Sequence, residues 1–272
     1  MSTISQLSRR KFLQLTGLSS GGLILMGTLP ISVSAVDALA SATGLSLNFF
    51  VSVQTSGQVE IIAHRSEMGT GIRTSLPQVV ADDMEANWQQ VKVIQGLANA
   101  DYGSQNTDGS RSVRDFYHIM RQMGAAAKTM LEQAAAQQWS VPLAECHAKN
   151  HAVHHSSGKS LGFGELAETA AKLPSPDISS LKLKDSSDFN YIGKNVPIVD
   201  LHDMTTGNTT YGIDIHLPDM VYASIERTPY LAGKIVSYDD KAAKQVKGVL
   251  DVIRIEGKPL PSAFHALEGV AV

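Results

Sequence analysis

The sequence predicts an α+β fold in two parts, and three observations support that prediction. Residues 47–53 and 57–63 are apolar runs on either side of a short polar turn, which is typical of two paired strands. Residues 116–138 carry one apolar stripe at helical spacing, the strongest helix signal in the chain. From Thr206 onward the pattern changes to short strand-like runs with a single helix. We therefore expect a boundary between two folded parts near this residue.

Local patterns predict the elements of the first part. Residues 74–87 place apolar side chains at helical spacing and predict a helix, and residues 91–94 predict a strand. Residues 96–112 form a long loop rich in Gly, Asn, Asp and Ser, and a loop of this length in a compact domain usually serves a function. Residues 151–159 predict a strand and turn of a hairpin, and residues 164–171 predict a short helix.

The second part follows residues 174–205, a polar stretch with Pro and Ser that we interpret as a surface linker. Beyond it the sequence predicts strands at 211–215, 220–225, 234–238 and 249–255, and a helix at 240–246. The chain ends on an apolar, strand-like run at 269–272. Natural termini are usually exposed and polar, so we interpret the chain as the N-terminal fragment of a longer protein.

The N-terminus carries an export signal. A twin-arginine motif stands near its start, Ser8-Arg9-Arg10-Lys11-Phe12-Leu13. The apolar stretch that follows is interrupted by Thr, Ser and Gly, so it fits a secretory leader better than a stable membrane span. We predict a signal peptide over residues 1–40, with small residues at 33–35 and 38–40 as two alternative cleavage sites. The predicted location is the periplasm, and this route exports folded proteins that usually already hold a cofactor.

Composition excludes several classes of function. The net charge of −3 leaves no basic excess to neutralise phosphates, so nucleic acid is not an expected partner. No second apolar run approaches the ~20 residues of a membrane span. Cys146 is the single cysteine, which excludes an internal disulfide framework and a four-thiolate iron–sulfur cluster. Any such cluster must belong to another subunit, and we interpret Cys146 as a small buried apolar residue.

Two loops carry the residues that we expect to bind an anionic cofactor. Gly69 and Gly71 can adopt a positive φ, which lets backbone N–H groups approach such a ligand closely. Arg73 and Arg111 can each donate two parallel hydrogen bonds to a phosphate. The other candidates offer N–H or hydroxyl groups, and they are Thr70, Thr74, Thr107, Gly109, Ser110 and Ser112, with Thr74 at a helix start and Ser112 as an N-cap. A Gly-x-Gly loop alone equally fits a plain β–turn–α connection.

These segments, in this order, resemble the large subunits of the isoquinoline 1-oxidoreductase type in the xanthine dehydrogenase/aldehyde oxidase superfamily of molybdenum hydroxylases. Residues 67–74 and 107–112 resemble the two cofactor loops, and residues 207–252 resemble the α/β hammerhead domain. The resemblance implies a partial molybdopterin-binding domain at 45–173 and a hammerhead domain at 206–272. It also implies molybdopterin cytosine dinucleotide as the cofactor.

One position departs from the family pattern. Thr70 stands between the two glycines where the family usually has Gln, and its effect on cofactor contact is left open. The family's catalytic Glu is expected beyond the end of this chain, so we assign no catalytic residue here. Glu67 is better interpreted as an acceptor that stabilises the glycine loop.

The resemblance implies an enzyme that oxidises an N-heterocycle or an aldehyde, with water as the oxygen source. Electrons would pass to 2Fe–2S clusters on a small partner subunit and then to a cytochrome c. We expect these 272 residues alone to be inactive. The alternative is a non-catalytic exported binding or interaction module that keeps the fold without the catalytic half. The sequence does not identify the substrate.

Two polar clusters remain. His147, His151, His154 and His155 stand close together, but strand geometry would place them on different faces, so we expect surface or half-buried histidines and assign no metal site. The acidic run 82–85 is predicted to be a solvated helix face.

Overall fold

The computed structural model describes residues 22–24, 50–261, 265 and 267–272. The chain divides into two compact units, Met1–Asn208 and Thr209–Val272. The twin-arginine motif and both candidate cleavage sites lie outside the described residues. No helix in the part of the chain that the structure describes is long and apolar enough to cross a membrane.

The first unit combines two sheets with helices that pack on them, and the α+β class is confirmed. Its elements are β1 Gly22–Ile24, β2 Val51–Gln54, β3 Val59–Ala63, α1 Ile72–Met84, β4 Val91–Gln95, α2 Ser112–Trp139, β5 Cys146–Lys149, β6 Ala152–His155, β7 Ser160–Gly162, α3 Phe163–Ala170 and α4 Leu201–Thr206.

The larger sheet has the order β1-β2-β3-β4. Strands β2 and β3 pair antiparallel, and β3 pairs parallel with β4 through the crossover helix α1. The predicted strand pair, the strand at 91–94 and both long helices are confirmed, with ends shifted by a few residues. The loops that leave β3 and enter α2 therefore arise from adjacent elements of one layer.

Helices α1 and α2 cross at very short distance. An ideal Cβ added to Gly124 would lie 2.3 Å from the carbonyl oxygen of Val80 and 3.1 Å from Cβ of Asp83. Only a hydrogen atom fits at that point, so glycine allows the two backbones to touch. The apolar stripe of α2 lies in the core beside it, with Met120, Met123 and Leu131 buried.

The smaller sheet has the order β5-β6-β7, and all its pairs are antiparallel. The predicted hairpin is confirmed, whereas strand β5 was not predicted. Cys146 at its start is 2% exposed, which confirms its interpretation as a buried apolar residue.

His151 lies in the turn between β5 and β6 and is buried, so the expectation of a surface or half-buried residue is wrong for this histidine. Its Nδ1 accepts the N–H of Asn87 at 3.1 Å, and its Nε2 donates to the carbonyl of Gly57 at 2.7 Å. Among the described residues, no group of three or more His, Cys, Asp or Glu side chains is arranged to hold a metal ion.

The acidic run at the end of α1 is not a solvated face, and that prediction is wrong for Asp82 and Asp83, which are 0% exposed. Asp82 accepts backbone N–H groups from residues 190–192 at 2.8 to 3.0 Å and the Nζ of Lys184 at 3.0 Å. Asp83 pairs with Arg121 at 2.7 Å. Buried carboxylates persist when they are fully hydrogen-bonded in this way. They attach a segment of the stretch 174–205 to α1.

The second unit is built around a three-stranded antiparallel sheet. Its elements are β8 Ile225–Arg227, α5 Lys241–Lys244, β9 Ile253–Ile255 and β10 Gly269–Ala271, and β10 is the central strand.

Two predicted strands of this unit are wrong. Residues 234–238 form no strand, and residues 211–215 instead contain a 3₁₀ turn at Gly212–Asp214. The carboxylate of Asp214 accepts the N–H of Tyr211 at 2.9 Å, which closes the turn and competes with strand pairing. The hammerhead assignment for this unit stays a prediction.

Candidate functional site

The two loops singled out in the sequence are neighbours in space. We call residues 67–71 the glycine loop, which leads from β3 into α1, and residues 104–111 the second loop, which leads into α2. The hydroxyl of Thr107 donates to the carbonyl of Ser66 at 2.6 Å. The amide Nε2 of Gln105 donates to the carbonyl of His64 at 3.1 Å. The structure therefore brings the two loops together, and which of their residues bind a ligand stays a prediction.

The glycine loop folds around the carboxylate of Glu67. Oε1 accepts the N–H groups of Met68, Gly69 and Gly71 at 3.0, 2.7 and 3.0 Å, and Oε2 accepts that of Arg73 at 3.1 Å. Burial alone would raise the pKa of Glu67, but the backbone donors outweigh it and the net pKa is lowered. The interpretation of Glu67 as the acceptor that stabilises this loop is confirmed.

Glycine is required twice in this arrangement. Gly69 has φ 93° and Gly71 has φ 76°, in the left-handed region that favours residues without a Cβ. Gly71 is also the N-cap of α1, and the cap has no side-chain hydrogen bond. The N–H groups that begin α1 therefore face an internal anion, Glu67, instead of solvent.

Two further candidates of this loop are already engaged within the protein. The guanidinium of Arg73 donates to both carboxylate oxygens of Asp200, at 2.7 and 3.3 Å, and to Oε1 of Gln95 at 3.0 Å. Thr74 is buried, and its hydroxyl oxygen accepts the N–H of Val199 at 3.0 Å.

Gly69 and Thr70 are the members of the glycine-loop set that lie at the surface, since Gly71 and Thr74 are buried and Arg73 is half-buried. The glycine loop therefore offers a ligand the outer face of these two residues. Its N–H groups are taken up by Glu67.

The second loop is more open. Gly109 and Ser110 are exposed, and both have φ 54°. The exposed Arg111 lies 3.5 Å from a carboxylate oxygen of Asp108 and 4.0 Å from one of Asp115. These charge pairs are long and solvated, so they compete weakly with an incoming anion.

The prediction of Ser112 as an N-cap is wrong. Helix α2 begins at Ser112 itself, and the N-cap is Arg111 without a side-chain cap bond. The hydroxyl oxygen of Ser112 instead accepts Nε of Arg65 at 3.0 Å. The start of this 28-residue helix is therefore tied to the residue that precedes the glycine loop.

Sequence reasoning missed His64 and Arg65, the two polar residues that follow β3. Both are buried, at 0% and 2% exposure. Their position was a usable signal, because a basic pair between a buried strand and a glycine loop is placed at the edge of the sheet where both loops start.

His64 lies in a box of aromatic rings. Ring centroids of Phe50, Phe116 and Tyr102 lie 5.1, 4.3 and 6.1 Å from that of the imidazole. Both ring nitrogens are buried without a hydrogen-bond partner among the described residues. Burial, with a smaller contribution from the Arg65 charge, lowers the pKa of His64 to about 4.

We expect folding stability to fall as the pH decreases from about 6.5 towards 4, because the unfolded chain binds a proton there and buried His64 does not. The effect should reach about 3 kcal/mol for a shift of this size. His64→Phe should remove this slope and raise stability at pH 7 by about 1 kcal/mol, since it replaces an unpaired buried polar ring. Urea unfolding at a series of pH values measures both.

The matched control is His118→Phe, at an exposed position of α2, which should leave the dependence of stability on pH as in the wild type. A His64→Phe chain with the wild-type slope would contradict the assignment.

Comparisons with known proteins agree with this geometry. Residues 26–213 match the model of a molybdopterin cofactor-binding domain. The chain is 29% identical to the beta chain of isoquinoline 1-oxidoreductase from Brevundimonas diminuta, over 92% of this chain and 37% of that protein. It is 28% identical to a membrane-bound aldehyde dehydrogenase [pyrroloquinoline-quinone] of Gluconacetobacter polyoxogenes, over 93% and 33%. It is also 28% identical to a subunit of nicotinate dehydrogenase from Pseudomonas putida, over 77% and 18%.

The chain thus spans little more than a third of the length of these relatives, or less. The family match nevertheless covers well over half of the chain, including both loops and the buried residues that join them. The chain therefore belongs to the molybdopterin cofactor-binding domain family, as a molybdenum hydroxylase large-subunit-like protein.

Proposed function

We propose that this chain supplies part of the cofactor pocket of an exported molybdenum hydroxylase that oxidises an N-heterocycle or an aldehyde. The names of the relatives include isoquinoline, nicotinate and aldehyde oxidoreductases, which supports this range of substrates. Water is the proposed oxygen source. The proposed electron path leads to 2Fe–2S clusters on a small partner subunit and then to a cytochrome c, because this chain has a single cysteine. The twin-arginine motif supports periplasmic location.

The observation that carries the proposal is the close approach of the two loops. Thr107 contacts Ser66, and Arg65 contacts Ser112, so the exposed parts of both loops lie next to one another. An elongated ligand with an anionic end needs donors from more than one segment, and this edge of the sheet provides them.

The residues present fit such a group through the second loop. Gly109, Ser110 and Arg111 are exposed beside the uncapped start of α2, and a buried nitrogen of Arg65 lies without a hydrogen-bond partner among the described residues. These residues would hold the phosphate-bearing part of molybdopterin cytosine dinucleotide. Gly69 and Thr70 would border the pterin.

The bound cofactor would supply the redox chemistry, and this chain's own residues bind and orient it. Glu67 keeps the glycine loop in one conformation, and Arg111 offers charge to the phosphates. We also propose that the 272 residues alone have no turnover, because they correspond to 37% or less of each relative's length.

The test is the cofactor content of the protein made from the natural gene, read to its stop codon in a host that synthesises the cofactor. We expect about one molybdenum by metal analysis and one cytidine nucleotide after acid release per large subunit. Arg111→Ala should lower both contents severalfold, because it removes a donor to phosphate. Arg114→Ala, at a more exposed position of the same helical turn, is the matched control and should change them little.

A specific observation favours the second candidate, a non-catalytic exported module. Glu67 already satisfies the N–H groups of the glycine loop, and Thr70 is shorter than the family's Gln. A folded, exported protein with neither molybdenum nor cytidine nucleotide would refute the enzyme proposal and support this module.

A further inference from the structure

Arg65 joins segments that are far apart in the chain. Its Nε donates to the Oγ of Ser112 at 3.0 Å, at the first turn of α2. Its Nη1 donates to the carbonyl of Ser104 and, at 3.1 Å, to the Oγ of the same residue. Its guanidinium carbon lies 5.2 Å from the centroid of the Phe116 ring. One side chain therefore holds both ends of the second loop.

The guanidinium has no carboxylate within ion-pair distance among the described residues. Asp108 and Asp115 act on it only at longer range, and both lie closer to Arg111. Burial lowers the pKa of Arg65, the direction expected when a cation leaves water. A buried charge of this kind is costly unless something compensates it.

The third nitrogen of the same group, Nη2, is buried without a hydrogen-bond partner in the described part of the chain. It belongs to a side chain that is 2% exposed and bonded to the first residue of a long helix. The start of α2 has no side-chain cap, so its partial positive charge adds to that of Arg65. Two independent sources of positive potential thus coincide at residues 109–112.

We propose that Arg65 is the positioning residue of the second loop: it holds residues 104–112 in place and gives them a fixed positive charge for a phosphate-bearing ligand. This inference rests on the proposed function, because it places the anionic end of the cofactor at that loop. Arg65 acts through the loop and need not contact the ligand. The same geometry explains why a buried cation is kept where sequence alone predicts only a strand end.

The test measures pyrophosphate binding to the 272-residue chain by calorimetry, together with hydrogen exchange of the loop amides. The wild-type chain should bind pyrophosphate saturably and slow exchange at residues 109–113. Arg65→Met should weaken binding about tenfold and speed exchange at 104–111. Arg65→Lys keeps the charge but loses the fork of donors, so it should restore part of the affinity and little of the loop protection.

Two further variants keep the proposal open to refutation if Arg65→Met fails to fold. Ser112→Ala removes only the acceptor of Nε and should speed exchange at 104–111, while residues 68–71, which Glu67 holds, exchange as in the wild type. Arg114→Met removes an exposed arginine of the same helical turn and should weaken binding no more than about twofold.

Failure of the wild-type chain to bind pyrophosphate would overturn the inference. An equal effect of Arg65→Met and Arg114→Met in folded chains would do the same, as would unchanged loop exchange in Ser112→Ala. Failure of the proposed function is a separate result, since it appears as absence of molybdenum and cytidine nucleotide from the natural gene product whatever pyrophosphate does.

Discussion

Gly124→Ala is expected to destabilise the first unit by about 3 kcal/mol, because the new methyl group has no space. Its Cβ would lie 2.3 Å from the carbonyl oxygen of Val80, so α1 and α2 must separate. Alanine also gains about 1 kcal/mol of helix propensity over glycine, and the predicted loss is net of that gain. Thermal and urea unfolding followed by circular dichroism measure the change.

The control for this substitution is Gln137→Ala, at an exposed position of the same helix. It changes propensity slightly and removes no core contact, so its effect should stay within about 0.5 kcal/mol. A Gly124→Ala chain as stable as the wild type would show that the two helices do not cross as closely as described.

Asp82→Asn is expected to cost about 3 to 5 kcal/mol, the range for a buried charge whose partner is removed. The carboxylate accepts three backbone N–H groups from residues 190–192 and Nζ of Lys184. The amide of Asn offers one acceptor oxygen, and its NH₂ group meets donors instead of acceptors. Chemical denaturation measures the loss, and proteolysis should cut near residues 184–192 once that segment is released.

The same carboxylate should govern stability in acid. Burial would raise the pKa of Asp82, but the N–H groups of Ile192, Asn190 and Tyr191 and the ammonium of Lys184 outweigh it, and the net pKa is lowered. A carboxyl with a lowered pKa stabilises the folded state above its ordinary value of 3.8 and loses that contribution as the pH falls through the folded value. Asp82→Asn should therefore flatten the acid limb of the stability curve.

The exposed Asp188 provides the matched control, since Asp188→Asn makes the same chemical change on the attached segment without burial. It should alter stability by less than about 0.5 kcal/mol. Equal losses for Asp82→Asn and Asp188→Asn would contradict the buried network.

The sequence alone predicted the regular elements of the first unit because each follows from local periodicity. The stripe in α2, the strand pair and the crossover helix are patterns of neighbouring residues, and burial of one face makes them legible. The second unit was predicted less well. Its strands are three residues long, and local carboxylate turns such as that of Asp214 compete with the sheet.

The candidate site was located by sequence but not described by it. Gly69, Gly71 and Gly109 marked the loops correctly as places of positive φ. The donors were a different matter: the N–H groups of the glycine loop point to Glu67, and Arg73 binds Asp200, 127 residues away. Partners so distant leave no local signal.

The sequence by itself determined which segments are helix, strand and glycine turn, because those states depend on residues within about four positions. It also placed the chain among the molybdenum hydroxylases. Only the tertiary structure decided which charges are free: it buried Asp82 and Arg65, paired Arg73, and left Arg111 open. A charge's availability depends on desolvation and on partners brought from across the chain, and folding alone sets both.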